Sequence, residues 1–299
     1  MTATRKTRPR GFADWNPRPD TLALVAQVQA VLDEYAEHLP LTVRQVFYRL
    51  VGAHGFDKTE RAYARLCETV NRARRARLLS FEAFRDDGGS RHGAEGYEDA
   101  DDFLRGLRWQ AEGFRLDRQQ DQPRRLWLLC EAGGMAPMLA RAANPLGVPV
   151  LSSGGFDSLT AKHDLARELT HHIQRGAVAE VLHVGDLDPS GEHLFTSLAE
   201  DVSAMVWALG GGRLAEFTRL AVTRAQADAM NLPTAPPKPT DRRAFTGDTV
   251  QAEAIPPDVL SRMVRDAIEA RQDADTMADT LFLEAEARAE LLARFEGAA

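Results

Sequence analysis

Two spacings of apolar residues divide the chain. From Asp20 to Leu39, Leu24, Val25, Val28, Val31, Leu32 and Tyr35 fall on one stripe at a 3.6-residue period, which predicts an amphipathic helix. Pro19-Asp20 marks its start and Leu39-Pro40 its end. A shorter helix follows from about Thr42 to Val51, with Val43, Val46, Phe47, Leu50 and Val51 inward. Arg44 and Tyr48 lie four apart on the flank of that stripe, so the Tyr48 hydroxyl is placed to reach solvent or a partner. A third helix, roughly Thr59 to Arg77, puts Tyr63, Leu66, Val70 and Ala73 on one face. Arg61, Arg65, Arg72 and Arg75 line the other, with Arg74 and Arg77 beside them and few acidic neighbours.

Past the polar stretch Gln119–Arg125 the pattern changes. Short continuous apolar runs, expected of strands buried on both faces of a parallel sheet, alternate with helical segments. Strands are predicted to end at Glu131, to cover Val148–Ser152, to end at Asp186 and to cover Phe217–Val222. Helices are predicted over about Ala136–Ala143, Asp157–Arg175 and Gly191–Leu209, and from Pro257 onward, where Val259, Leu260, Met263, Val264 and Ile268 share a side. Pro233–Pro239 reads as a loop. This is βαβ grammar, so the expected fold class is α/β, a parallel sheet with flanking helices preceded by a helical, helix-turn-helix-like domain. The expected boundaries are a basic tail over 1–19, a helical domain over 20–118 and the α/β domain with a helical extension over 119–299. Arg85-Asp-Asp-Gly-Gly and the acidic run Glu95, Glu98, Asp99, Asp101, Asp102 read as a wing or loop and the cap of a further helix.

Composition narrows the picture only modestly. With 44% hydrophobic and 27% charged residues the chain is ordinary for a globular protein. A net charge of -7 excludes a uniformly basic nucleic-acid binder and leaves local basic faces open. Cys67 and Cys130 sit in apolar contexts and are too few for a disulfide framework, so buried thiols in a reducing cytoplasm are expected. No apolar run approaches the ~20 residues of a membrane helix.

The chemistry concentrates between Arg125 and Gly191. Leu126-Trp-Leu-Leu-Cys-Glu131-Ala-Gly-Gly ends a strand on one carboxylate, and Val181-Leu-His-Val-Gly-Asp186-Leu-Asp188-Pro-Ser-Gly191 ends another on two. Function gathers at the carboxyl ends of parallel strands, and three carboxylates there suit a hard divalent cation held against phosphate oxygens. An EF-hand is excluded, because its closing position would be Ser197 instead of Glu and a strand precedes the motif. A haloacid-dehalogenase-type phosphatase would open with its Asp-x-Asp and add a downstream acidic pair, and neither holds here. The arginine face of the third helix reads as a phosphate-contacting surface through Arg61, Arg65, Arg72 and Arg75. The histidines form no trusted ligand spacing and are read as structural.

Glu131 with its glycines, followed by Gly-Asp186-x-Asp188-Pro-x-Gly after a later strand, resembles the Toprim domain of topoisomerases, primases and related nucleases. Upstream, Leu41-Thr-Val-Arg44-Gln-Val-Phe-Tyr48 resembles the winged-helix motif of the topoisomerase VI A subunit, where an arginine precedes the catalytic tyrosine by four residues. The order of the two motifs also matches that family, which has single-subunit bacterial and phage relatives. The resemblance implies a Toprim-type sheet after a winged helix, with Tyr48 as nucleophile and Arg44 as its transition-state partner. It implies Mg2+ on Glu131, Asp186 and Asp188, double-stranded DNA as substrate and a homodimer in which one protomer's tyrosine meets the other's metal. Glu253 falls where many Toprim relatives carry a late acidic residue, and stands as a weaker ligand candidate. The chain has no phosphate-binding Gly-rich Lys motif, so strand passage by a type IIB topoisomerase would need a separate ATPase subunit. Two alternatives share these motifs: a Toprim endonuclease that does not use the tyrosine, and a catalytically silent DNA-binding subunit.

Overall fold

Helix α1 (Pro19–Glu34) begins on Pro19, and its buried side is the stripe Leu24, Val25, Val28, Val31 and Leu32. Helix α2 (Val43–His54) starts in a reciprocal cap, Thr42 accepting from Gln45 N while the Gln45 side chain accepts from Thr42 N. It ends at Gly55, whose φ of 63° is the left-handed turn that glycine makes at low cost. Thr59 caps α3 (Glu60–Arg75) and Asp99 caps α4 (Ala100–Glu112). The computed structural model describes residues 12–85, 96–152, 159–212, 215–237 and 245–296. The tail before residue 12, the stretch 86–95 read as a wing, the Asp157 helix start and Pro239 lie outside them. Among the described residues before 119 there is no strand, only the bridge between Leu41 and Phe84.

The α/β part runs β1 (Arg124–Cys130), α5 (Ala136–Ala143), β2 (Val150–Ser152), α6 (Leu159–Ile173), β3 (Val178–Val184), α7 (Pro189–Ala208) and β4 (Ala215–Ala221). A short α8 (Arg224–Ala229) follows, then a 3-10 turn at Ala252–Ala254, α9 (Pro257–Glu269) and α10 (Ala274–Glu296). The four strands are parallel in the order β2-β1-β3-β4. Parallel strands need crossover helices, and these cover both faces of the sheet. Leu126, Leu128, Cys130, Leu182 and Val184 pack with α1–α3, α5 and α9 in one continuous core. Trp127, Leu129 and Val181 pack on the other face with Leu165, Leu169, Leu198 and Val202 of α6 and α7. The helices α1–α3 therefore share a core with one face of the sheet.

The chain steps from β1 outward to β2, then returns to the other side of β1 to lay down β3. The strand order reverses between β1 and β3, and at such a point the adjacent loops diverge and leave a crevice at the strand ends. That crevice receives Glu131 and Asp186.

Candidate metal centre and adjoining tyrosine

Register brings the carboxylates together. Cys130 pairs with Val184, and Glu131 N donates to Val184 O at 2.9 Å, so both acidic signals leave the sheet at the same height. Asp186 N donates to Glu131 Oε2 at 3.0 Å, and Ala252 N donates to Asp186 Oδ1 at 2.8 Å. Asp188 is the N-cap of α7, its Oδ1 accepting from Gly191 N at 2.7 Å. The glycines of the motif make the space. A Cβ on Gly185 would stand 2.4 Å from Glu131 Oε2, and one on Gly191 would meet Asp186 O at 2.5 Å and Glu131 Oε2 at 3.1 Å.

The cluster is electrostatically strained in the way that invites a cation. Burial, then the charges of Asp186 and Asp188, push Glu131 up to about 7. Burial, then Asp186, push Glu253 up to about 7 as well. Asp186 is also raised, by burial first, with the Ala252 N–H opposing. Arg44 of α2 is one cation set against this charge, and Arg219 of β4 is another. Arg219 donates from Nε to Val222 O and from Nη2 to the carbonyls of Gly185 and Asp186, pinning the loop that carries the two aspartates.

The donor set is all oxygen, the chemistry a hard divalent ion takes. Among the described residues no group of three or more His, Cys, Asp or Glu side chains is placed to hold a metal ion.

Tyr48 and Arg44 meet this cluster through a residue the sequence patterns did not single out. Tyr48 Oη donates to Gln251 Oε1 at 2.7 Å, and Arg44 Nη1 donates to the same oxygen at 2.6 Å. Gln251 sits beside Ala252, which holds Asp186, and two residues before Glu253. Val250 is fastened in turn to Leu187, N to O in both directions. The tyrosine hydroxyl thus reaches a partner as its flank position suggested, but its ring is buried. Burial, opposed by Arg44, holds its acidity well below that of a free phenol. Arg44 also lies 5.0 Å over the Tyr63 ring. A cavity of about 360 Å3 is lined by Arg44, Tyr48, Lys58, Tyr63, Asp188 and Gln251, among others. The resemblance implies that tyrosine and metal meet across a dimer, whereas here Tyr48 and Asp188 face one cavity of one chain.

The arginine stripe is only partly available. Arg61 and Arg65 are exposed, but Arg72 pairs with Glu68 at 2.7 Å and Arg75 donates to Asn71 at 2.9 Å. Glu68, one helical turn from Arg72, is one of the few acidic neighbours of the stripe. From α3, Glu60 and Tyr63 line the cavity, not the four arginines. Cys130 is buried, its thiol pushed up to about 12 by burial, and Cys67 is partly buried. Among the described residues no helix is long and apolar enough to cross a membrane.

Gln251, Arg219 and Lys58 carry no local motif. Only the late acidic residue Glu253 pointed to the segment around Gln251. Compared with known proteins, the chain matches no family model, no curated protein and no solved structure.

Proposed function

We propose that this chain is a magnesium-dependent DNA-cleaving protein of the topoisomerase VI A-subunit type, acting on duplex DNA as a homodimer in the cytoplasm. The observation that carries the reading is the shared bond of Arg44 and Tyr48 to Gln251, on the segment that also fastens Asp186 and carries Glu253. The helices α1–α3 would serve as a winged-helix-type DNA-binding module, with Arg61 and Arg65 toward the phosphate backbone and Arg72 and Arg75 joining once their present partners yield.

In this reading Tyr48 Oη attacks a backbone phosphorus, a tyrosyl phosphodiester forms, and the bond to the 3′ oxygen breaks. The phenolic proton leaves as the new bond forms, and the 3′ oxygen takes one up. Arg44 holds a non-bridging oxygen and stabilises the charge that gathers there. Mg2+, when bound by Glu131, Asp186 and Asp188, would neutralise phosphate charge and orient the backbone. Strand passage would call on a separate ATPase.

One observation favours a second reading, in which cleavage is hydrolytic and the tyrosine only positions DNA. Tyr48 gives its proton to a neutral amide oxygen, and burial holds that proton on. A supercoiled-plasmid assay with Mg2+ separates the readings. Wild type is expected to cut and to leave protein on the DNA ends, Asp186→Ala to lose cutting by more than about a hundredfold, and Tyr48→Phe to lose covalent attachment and cutting together. Full cutting by Tyr48→Phe establishes the hydrolytic reading. A wild type that neither cuts plasmid nor binds Mg2+ by calorimetry is a silent binding subunit.

A further inference from the structure

Lys58 has no role in the motifs above, yet it faces the same cavity. It lies between the left-handed Gly55 that ends α2 and Thr59, the cap of α3. Its Nζ is 5.6 Å from the centre of the Tyr48 ring, so its charge stands beside that tyrosine. Burial lowers its pKa, and Asp248 is the one carboxylate that opposes this. Among the described residues no carboxylate forms an ion pair with it. A half-buried ammonium without a paired anion is costly, and the cost falls when an anion enters beside it.

The surroundings say which anion. Arg44, already bonded to Gln251, is a second cation on the wall, and the N-terminal end of α3 opens there through Thr59 and Glu60. Helix N-termini and paired cations favour phosphate oxygens. The carboxylates of Glu60 and Asp188 face the same space and disfavour a freely mobile anion. A phosphodiester tethered in a strand, held in place by contacts elsewhere along the duplex, is not driven out by them.

We propose that Lys58 is a phosphate-contacting residue of this cavity, gripping the DNA backbone beside the Tyr48 hydroxyl. The inference rests on the DNA-cleaving reading and adds a residue that no motif supplies. In it, Lys58 and Arg44 approach the phosphate from two sides, Arg44 from α2 and Lys58 from the loop after it. The lysine is a point charge on a flexible stem, so its contribution is electrostatic and sensitive to salt.

The test is binding of a short fluorescein-labelled duplex in EDTA, followed by anisotropy across a salt series, with wild type, Lys58→Met and Lys58→Arg. Methionine keeps an unbranched stem of similar length and removes the charge. Lys58→Met is expected to bind about tenfold more weakly at 50 mM salt, the gap narrowing to about threefold at 200 mM because one phosphate contact is lost from the salt slope. Lys58→Arg is expected to restore most of the affinity and the slope. Equal thermal midpoints for the three proteins establish that the loss is not unfolding. If wild type binds and Lys58→Met keeps its affinity and slope, the Lys58 contact is wrong while the DNA reading stands. If wild type does not bind duplex at all, both fall.

Discussion

Glu131 shows what the carboxylate cluster does to the protein that holds it. Its folded pKa is raised to about 7 against an ordinary 4.5, by burial and by Asp186 and Asp188. A raised folded value means the native state holds the proton more tightly, so this contribution to stability is complete below pH 4.5 and is lost as pH rises through 7. His183 works in the opposite direction. Its imidazole is buried against Phe195, its folded value is lowered to about 3, and its contribution is present above 6.5 and lost as pH falls. The two oppose each other between about pH 4.5 and 6.5 and separate in a variant. Glu131→Gln keeps the acceptor for Asp186 N, so in EDTA at pH 8 it is expected to be more stable than wild type by about 2 kcal/mol, a figure reduced for the partial exposure of the group. At pH 5 most of the gain should vanish. Thermal melts at the two pH values, with and without Mg2+, check this: Mg2+ should raise wild type more than the variant, and a variant no more stable at pH 8 refutes the repulsion. The three carboxylates were legible because each ends an apolar run beside turn residues. Gln251 and Lys58 were not, because an amide 203 positions from Tyr48 and a lone loop lysine acquire meaning only from the fold.

Elements were more legible than residues, since periodicity reports burial directly. Helices α1, α2, α3, α5 and α7 and all four strands lie where the apolar spacing puts them, within a few residues at their ends. The tail from Pro257 is helical as its pattern predicts, and it divides into α9 and α10 at a break where Asp273 N donates to Gln122 Oε1. That break depends on a partner 151 positions away, which no local pattern carries. The seating of α2 likewise depends on a contact absent from the pattern. A Cβ on Gly134, in the turn after Glu131, would stand 2.5 Å from the Thr42 methyl, so the cap of the tyrosine helix rests on the glycine pair of the carboxylate motif. Gly134→Ala is expected to cost about 2 kcal/mol by overpacking. In a Thr42→Ser background, which keeps the capping hydroxyl and removes the methyl, the same change should cost less than about half of that. Urea denaturation of the four proteins measures the coupling, and a cost unchanged by Thr42→Ser places the strain elsewhere.

At the scale of the molecule, the sheet order and the shared core decide who meets whom. The reversal between β1 and β3 sets the carboxylates at one crevice, and α2 packs over the same face as Leu128, Cys130 and Val184, bringing Tyr48 to that crevice from its own chain. Strand count and direction followed from the sequence; the side on which α1–α3 dock did not, because an amphipathic stripe fits any apolar face of matching width. The docking changes what a dimer would need. If tyrosine and metal work across the twofold, mixing Tyr48→Phe with Asp186→Ala chains leaves one complete site in each mixed dimer, and nicking returns. If they work within one chain, every mixed dimer carries two broken sites. Mixing the two variants, with subunit exchange verified by differently tagged chains, is therefore expected to give no nicking above the separate proteins. Recovery approaching about a quarter of the wild-type rate, from one complete site in each of the mixed dimers that make up about half of the mixture, would mean that the Tyr48–Gln251 contact is a resting arrangement that opens before the DNA is cut.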